Sequence, residues 1–137
     1  MSAKEMRVPI SPGELLDKLS ILRIKSERIA DLEKRANVLL ELAGLEAVWR
    51  DHAPEAEELR DEDAALTRVN LALWDVEDAL RECEAAQRFD SAFVALARSV
   101  YRLNDERAAI KRRINAKLGS ALIEEKLYSA ERARERR

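Results

Sequence analysis

Glycine and proline are scarce, three of each, and cysteine and histidine occur once each. So few turn formers cannot punctuate a chain of short strands. Apart from Gly44, every one of them stands where a helix would begin or end, which excludes β structure. Cys83 has no second thiol to pair with, so disulfides are excluded and a reducing compartment is expected. One histidine cannot build the His/Cys ligand sets of zinc sites, and His52, two residues before Pro54, reads as a surface side chain near a loop. Aromatic residues make up 4% of the chain and the isoelectric point is about 5.6. Both argue against nucleic acid as a partner, which calls for stacking aromatics on a basic face. No apolar run approaches the roughly 20 residues of a membrane span, and the polar start Met-Ser-Ala-Lys-Glu is unlike a signal peptide. A cytoplasmic protein with no membrane span is therefore expected.

What remains is helical. Hydrophobic residues account for 47% and charged residues for 38% of 137 positions, the balance of one all-α domain with exposed helices. Residues 1–137 read as a single helical domain, with 1–9 and 130–137 expected to fray. In the stretch 59–86, Leu66, Val69, Leu73, Val76, Leu80 and Cys83 alternate three and four apart, a seam for a partner helix. In the stretch 91–118, Phe93, Ala97, Val100, Asn104, Ile114 and Leu118 keep the same line, with Arg107 and Lys111 also on it. The five residues 86–90 between them are so short a link that the helices should fold back as an antiparallel hairpin. Facing residues then sum to about 177, given a turn near residue 88. Asn70 is set against Arg107, Trp74 near Asn104, and Glu77 near Val100. The charge is uneven as well: residues 50–97 carry 13 acidic and 5 basic side chains, and 98–137 carry 6 and 12. An acidic helix against a basic one compensates internally.

Two shorter helices should precede the hairpin. Ser11 can cap the first, Pro12 suits its first position, and Glu14 can return a bond to Ser11. Leu15, Leu16, Leu19, Leu22 and Ile29 form its apolar face, widened by Ile21 and Ile24. Asp31 can cap the second, about 32–49, with the stripe Val38, Leu42, Leu45 and Trp49. Gly44 within it costs about 1 kcal/mol relative to alanine, which suggests a close crossing there. After Gly119, residues 120–128 should open a short C-terminal helix whose Leu122, Ile123 and Leu127 dock on the bundle.

The strings PISPGELLDKL from Pro9, LWDVED from Leu73, ARSVY from Ala97, NDERAAIKRRI from Asn104 and GSALIEEK from Gly119 resemble an uncharacterised bacterial family of small all-helical proteins. The resemblance spans nearly the whole chain and implies a stand-alone bacterial protein. It assigns no catalytic residue.

Enzyme signatures are missing: there is no Gly-rich phosphate loop and no nucleophile motif. No catalytic residue, metal or cofactor is assigned. Glu55 with Glu58, and Asp75 with Asp78, are spaced like the metal-holding pairs of helical pyrophosphatases. The two pairs lie about 30 Å apart on one helix, too far to share an ion, so they read as a solvated face. The more informative group is polar and basic. Lys18, Lys25 and Arg28 on the first helix join Asn70, Trp74, Glu77, Asn104, Arg107 and Lys111 of the hairpin in one candidate layer. As a register lock, Asn70 and Glu77 would satisfy Arg107 and Lys111 internally. As an anion site, the cations would line an open pocket, an arrangement to which the Leu-x-x-Leu-Arg-Ile-Lys stretch at 19–25 adds a resemblance to helical-bundle chorismate mutases. The preferred expectation is a non-enzymatic interaction or adaptor protein that forms a homodimer and binds a further protein partner. The alternative is a small enzyme or binder of an anionic metabolite.

Overall fold

The computed structural model describes residues 4–52 and 56–120, and in these it is helical, with no strand. Four helices follow in order: α1 (Pro12–Arg28), α2 (Leu32–His52), α3 (Arg60–Ala85), preceded by a 3₁₀ turn at Ala56–Leu59, and α4 (Ser91–Lys117). The expected bundle built on a long hairpin is what forms, and its boundaries fall within a residue or two of those read from capping and periodicity, except that α2 runs on to His52.

The ends obey local chemistry. Ser11 Oγ accepts a hydrogen bond from the Glu14 amide at 3.1 Å, with proline in the first turn behind it. Asp31 caps α2 through the Lys34 amide at 2.9 Å, and Asp90 caps α4 through the Phe93 amide at 3.1 Å. At the hairpin turn Gln87 adopts φ 54°, and the Arg88 amide bonds the Cys83 carbonyl at 2.9 Å, closing α3 in a left-handed C-terminal turn,. Gly119 repeats the device at the end of α4: its φ is 62°, and the Ser120 amide reaches the Asn115 carbonyl at 2.9 Å.

α1 packs against both helices of the hairpin, and α2 packs against α1. The core therefore gathers at the open end of the hairpin, where Leu15, Leu16, Leu19 and Leu22 of α1 meet Leu66, Val69, Ile110 and Ile114. Each such side chain contributes about 1.5–3 kcal/mol when fully buried, as an upper estimate. From α2 only Leu42 is buried, while Val38, Leu45 and Trp49 rest half-buried against the core. Toward the hairpin tip the seam continues through half-buried Val76, Leu80, Leu96 and Val100, and there only Cys83 is fully enclosed.

One expectation fails. Gly44 is no close crossing: a Cβ built there meets no atom within 4 Å. The close approach is at Gly13, where a Cβ would stand 2.5 Å from the Lys111 carbonyl oxygen. The α1 start crosses α4 backbone to side chain, and the Gly13 amide donates to Asn115 Oδ1 at 2.7 Å. A helix-start glycine reads as capping; only the tertiary crossing shows that it is there to admit α4.

Candidate functional site

The polar layer centres on a residue that the sequence hid among leucines. Asp17 lies on α1 between Leu16 and Leu19, and its side chain has no exposed surface. Its carboxylate is held by the hairpin from both sides. Arg107 Nε donates to Oδ1 at 2.9 Å and to Oδ2 at 3.0 Å, and Nη2 makes a further contact to Oδ2. Asn70 Nδ2 donates to Asp17 Oδ1 at 2.9 Å and lies 3.2 Å from Ser20 Oγ. Forked guanidinium geometry suits a carboxylate, and a charge buried this deeply is tolerable only when its oxygens are so occupied. Arg107 Nη1 points at Asn104 Oδ1, at the long distance of 3.5 Å.

Asn70, Asn104 and Arg107 are thus brought together as the hairpin register implies, but Asn70 and Arg107 meet through Asp17 rather than directly. Lys111 stands one turn further along α4, buried, with Nζ 2.7 Å from Glu14 Oε2. Glu14 was read as closing the Ser11 capping box; its amide does bond Ser11, while its carboxylate turns to Lys111 instead. Arg28 reaches Asp75 Oδ1 at 2.7 Å and sits with its guanidinium carbon 5.9 Å from the centre of the Trp74 ring. Asp75 is thereby an ion-pair partner. Lys25 is half-buried and takes no part in these contacts, and Lys18 is exposed. Glu77 was expected to satisfy Arg107 or Lys111; Asp17 and Glu14 of α1 hold those two cations. Glu77 instead lines, with Trp74, Asn104 and Arg107, a cleft of about 360 Å³ beside the layer. The signal for Asp17 was present in the line Gly13, Asp17, Ser20, a run of small or polar residues crossing the apolar face of α1 at helical spacing.

A second ion pair, between exposed Lys117 and buried Glu62, closes the open end of the hairpin. Lys117 Nζ lies 2.7 Å from Glu62 Oε1 and donates to the Glu58 carbonyl at 3.0 Å. The hydrogen bond from Lys117 holds the Glu62 carboxyl below its ordinary pKa, against the opposing pull of burial.

Near it an apolar groove of about 760 Å³ runs between the start of α1, the end of α2 and the end of α4, walled by Leu15, Val48, Trp49 and Leu118. His52 is exposed at its edge, its Nδ1 donating to the Val48 carbonyl at 3.0 Å.

An α-helical bundle with an internally paired polar layer and no strand among the described residues defines the structural class. Within that class the chain belongs to a family of unknown function, DUF6165, whose model matches residues 6–134. Neither the curated proteins nor the solved structures offer a match. Among the described residues no helix is long and apolar enough to cross a membrane.

Proposed function

We propose that the chain is a non-enzymatic protein-interaction module whose first partner is a second copy of itself. Support comes from how its charges are spent. Arg107, Lys111 and Arg28, the three cations best placed to clamp an anion, are each matched by a carboxylate of the same chain: Asp17, Glu14 and Asp75. An anion would have to displace these contacts, two of them buried, before gaining anything.

The observation that carries the proposal is the outer face of α2. Of its 21 residues only Leu42 is buried. Opposite the face that meets α1 runs a stripe of Ala36, Leu40, Ala43 and Ala47, and Leu40 leaves 77% of its surface exposed. Gly44 beside it has open space around it. One large residue among small ones is self-complementary. An antiparallel pairing about a two-fold axis between Ala43 and Gly44 sets each Leu40 over the partner's Ala47, the isologous contact a dimer needs. A cytoplasmic setting belongs to the same proposal, resting on the lone thiol of Cys83,, and a bacterial one rests on the resemblance of its sequence strings.

Size-exclusion chromatography with light scattering tests it. A dimer is expected at micromolar concentration, and Leu40→Glu is expected to give a monomer with unchanged helical circular dichroism. A wild-type chain that runs as a monomer would sink the proposal.

A further inference from the structure

The C-terminal helix expected after Gly119 lies outside the described residues from residue 121 on. Among the described helices, α4 carries a line that another helix covers over only half its length. Val94, Ala97, Tyr101, Asn104, Ala108 and Lys111 follow one another three and four residues apart, which keeps them on one side of the helix. α1 covers the far half: Ala108 is buried, Lys111 Nζ lies 2.7 Å from Glu14 Oε2, and one turn on Asn115 Oδ1 accepts the Gly13 amide at 2.7 Å. α1 then ends at Arg28, whose guanidinium reaches Asp75 of α3. In the hairpin register Asp75 faces about residue 102 of α4, so the near half lies beyond α1. There Ala97 is exposed, and Val94 and Tyr101 leave 50% and 51% of their surface open. We infer that this half docks an acidic amphipathic helix of a partner protein, end to end with α1, an inference that rests on the chain being an interaction module.

α1 itself sets the precedent. It is an amphipathic helix that lays leucines on the hairpin and sets two carboxylates, Glu14 and Asp17, against Lys111 and Arg107 of α4. The uncovered half offers the same chemistry. Arg98 and Arg102 stand four and eight residues after Val94 and so share its face, and no carboxylate occurs from Ser91 to Asn104. Unlike Arg107 and Lys111, neither is answered by a carboxylate among the described residues. Arg98 Nε donates to the Tyr101 hydroxyl at 3.3 Å, and that hydrogen bond, with the charges of Arg98 and Arg102, holds the phenol below its ordinary pKa. A tyrosine between arginines on an apolar stripe is the composition of an interface anchor. Across from it, α3 presents Glu77, Asp78 and Arg81. The carboxylates of the incoming helix therefore belong over α4, and a flat anionic bilayer, which would press on Glu77 and Asp78 as well, is disfavoured. From Val94 to Arg102 the stripe is about 12 Å long at 1.5 Å per residue. So short a contact makes a weak, transient complex.

The test titrates the full chain into a fluorescently labelled synthetic helix of about 20 residues, long enough to fold, with glutamates along one edge of a leucine stripe. A twin carrying lysines in their place is the control. Saturable anisotropy is expected with the glutamate helix and not with its twin. Arg98→Glu with Arg102→Glu should weaken the glutamate helix by about tenfold or more and let the lysine twin bind. Should that variant fail to fold, Tyr101→Ser decides, with a loss of about tenfold expected. Leu40→Glu should bind the glutamate helix as the wild type does, so failure of the α2 dimer and failure of this site are separate results. Equal binding of the two helices, or variants that bind like the wild type, would overturn the assignment. So would binding to phosphatidylserine vesicles that Arg98→Glu with Arg102→Glu abolishes, which gives the face to a membrane. Self-association of Leu40→Glu that the same two substitutions remove would give it to a second copy.

Discussion

At the scale of single residues, Asp17 is the most consequential side chain in the molecule. It lies at zero exposure between three donors from α3 and α4, so removing its charge strands Arg107 against a neutral neighbour in a part-buried site. Asp17→Asn is expected to destabilise the fold by about 3–5 kcal/mol, the usual cost of breaking a buried pair from one side. Urea unfolding measures it, and a loss under 1 kcal/mol would show that the layer is not what holds α1 on the hairpin. Glu62 makes a pH-dependent contribution. Its pKa in the folded state is lowered by the hydrogen bond from Lys117. A carboxyl depressed on folding stabilises above its unfolded pKa, about 4.3, and loses that contribution as pH falls through the lower folded value. Comparing wild type with Glu62→Gln between pH 7 and pH 3 should show the wild type's advantage shrinking toward acid. An advantage that grows toward acid would contradict the assignment.

Among the elements, the hairpin is the best specified. Among the described residues its turn is the one place where a residue with a side chain is held at positive φ, Gln87 at 54°. Left-handed backbone costs an L-residue about 1–2 kcal/mol, offset in part by the entropy that glycine loses on folding. Gln87→Gly is therefore expected to stabilise by up to about 1 kcal/mol in chemical denaturation, whereas Gln87→Val should destabilise. The ends and phase of α1, α3 and α4 were legible because capping residues and three-four spacing act within a turn or two of chain. Asp90 and Asp31 accept the amides their positions imply. Partner choice was not legible. Glu14 and Asp75 have local readings as a cap and as an acidic pair, and their ion pairs, Lys111 and Arg28, come from helices far away in sequence. Gly13 and Gly44 illustrate the same limit. Each is a glycine in or at the start of a helix, and only the crossing of α1 over α4 separates the one with no room for a Cβ from the one in open space.

For the whole molecule, the layering α2 on α1 on the hairpin puts the core at one end and leaves α2 with one covered side. Self-association through the other side predicts a melting temperature that rises with protein concentration, since mass action favours the assembled fold. A melting temperature constant from 1 to 100 µM would count against the dimer. A thermal-shift screen of phosphorylated and carboxylated metabolites is expected to show no stabilisation, because Asp17, Glu14 and Asp75 already neutralise the cations that such ligands would seek. One metabolite raising the melting temperature by several degrees in a saturable way would restore the anion-binding alternative.

By itself the sequence determined a helical fold, the described helices with their limits apart from the end of α2, the antiparallel hairpin and the meeting of Asn70, Asn104 and Arg107 in one layer. These follow from short-range rules: helical period, caps and the length of a link. The tertiary structure alone decided that Asp17 holds that layer together, that Gly13 rather than Gly44 is the close crossing, and that Arg107, Lys111 and Arg28 are each answered by a carboxylate. Burial and pairing across helices depend on where α1 settles on the hairpin. That choice is made by the sum of many weak packing terms, none of which is written at a single position in the chain.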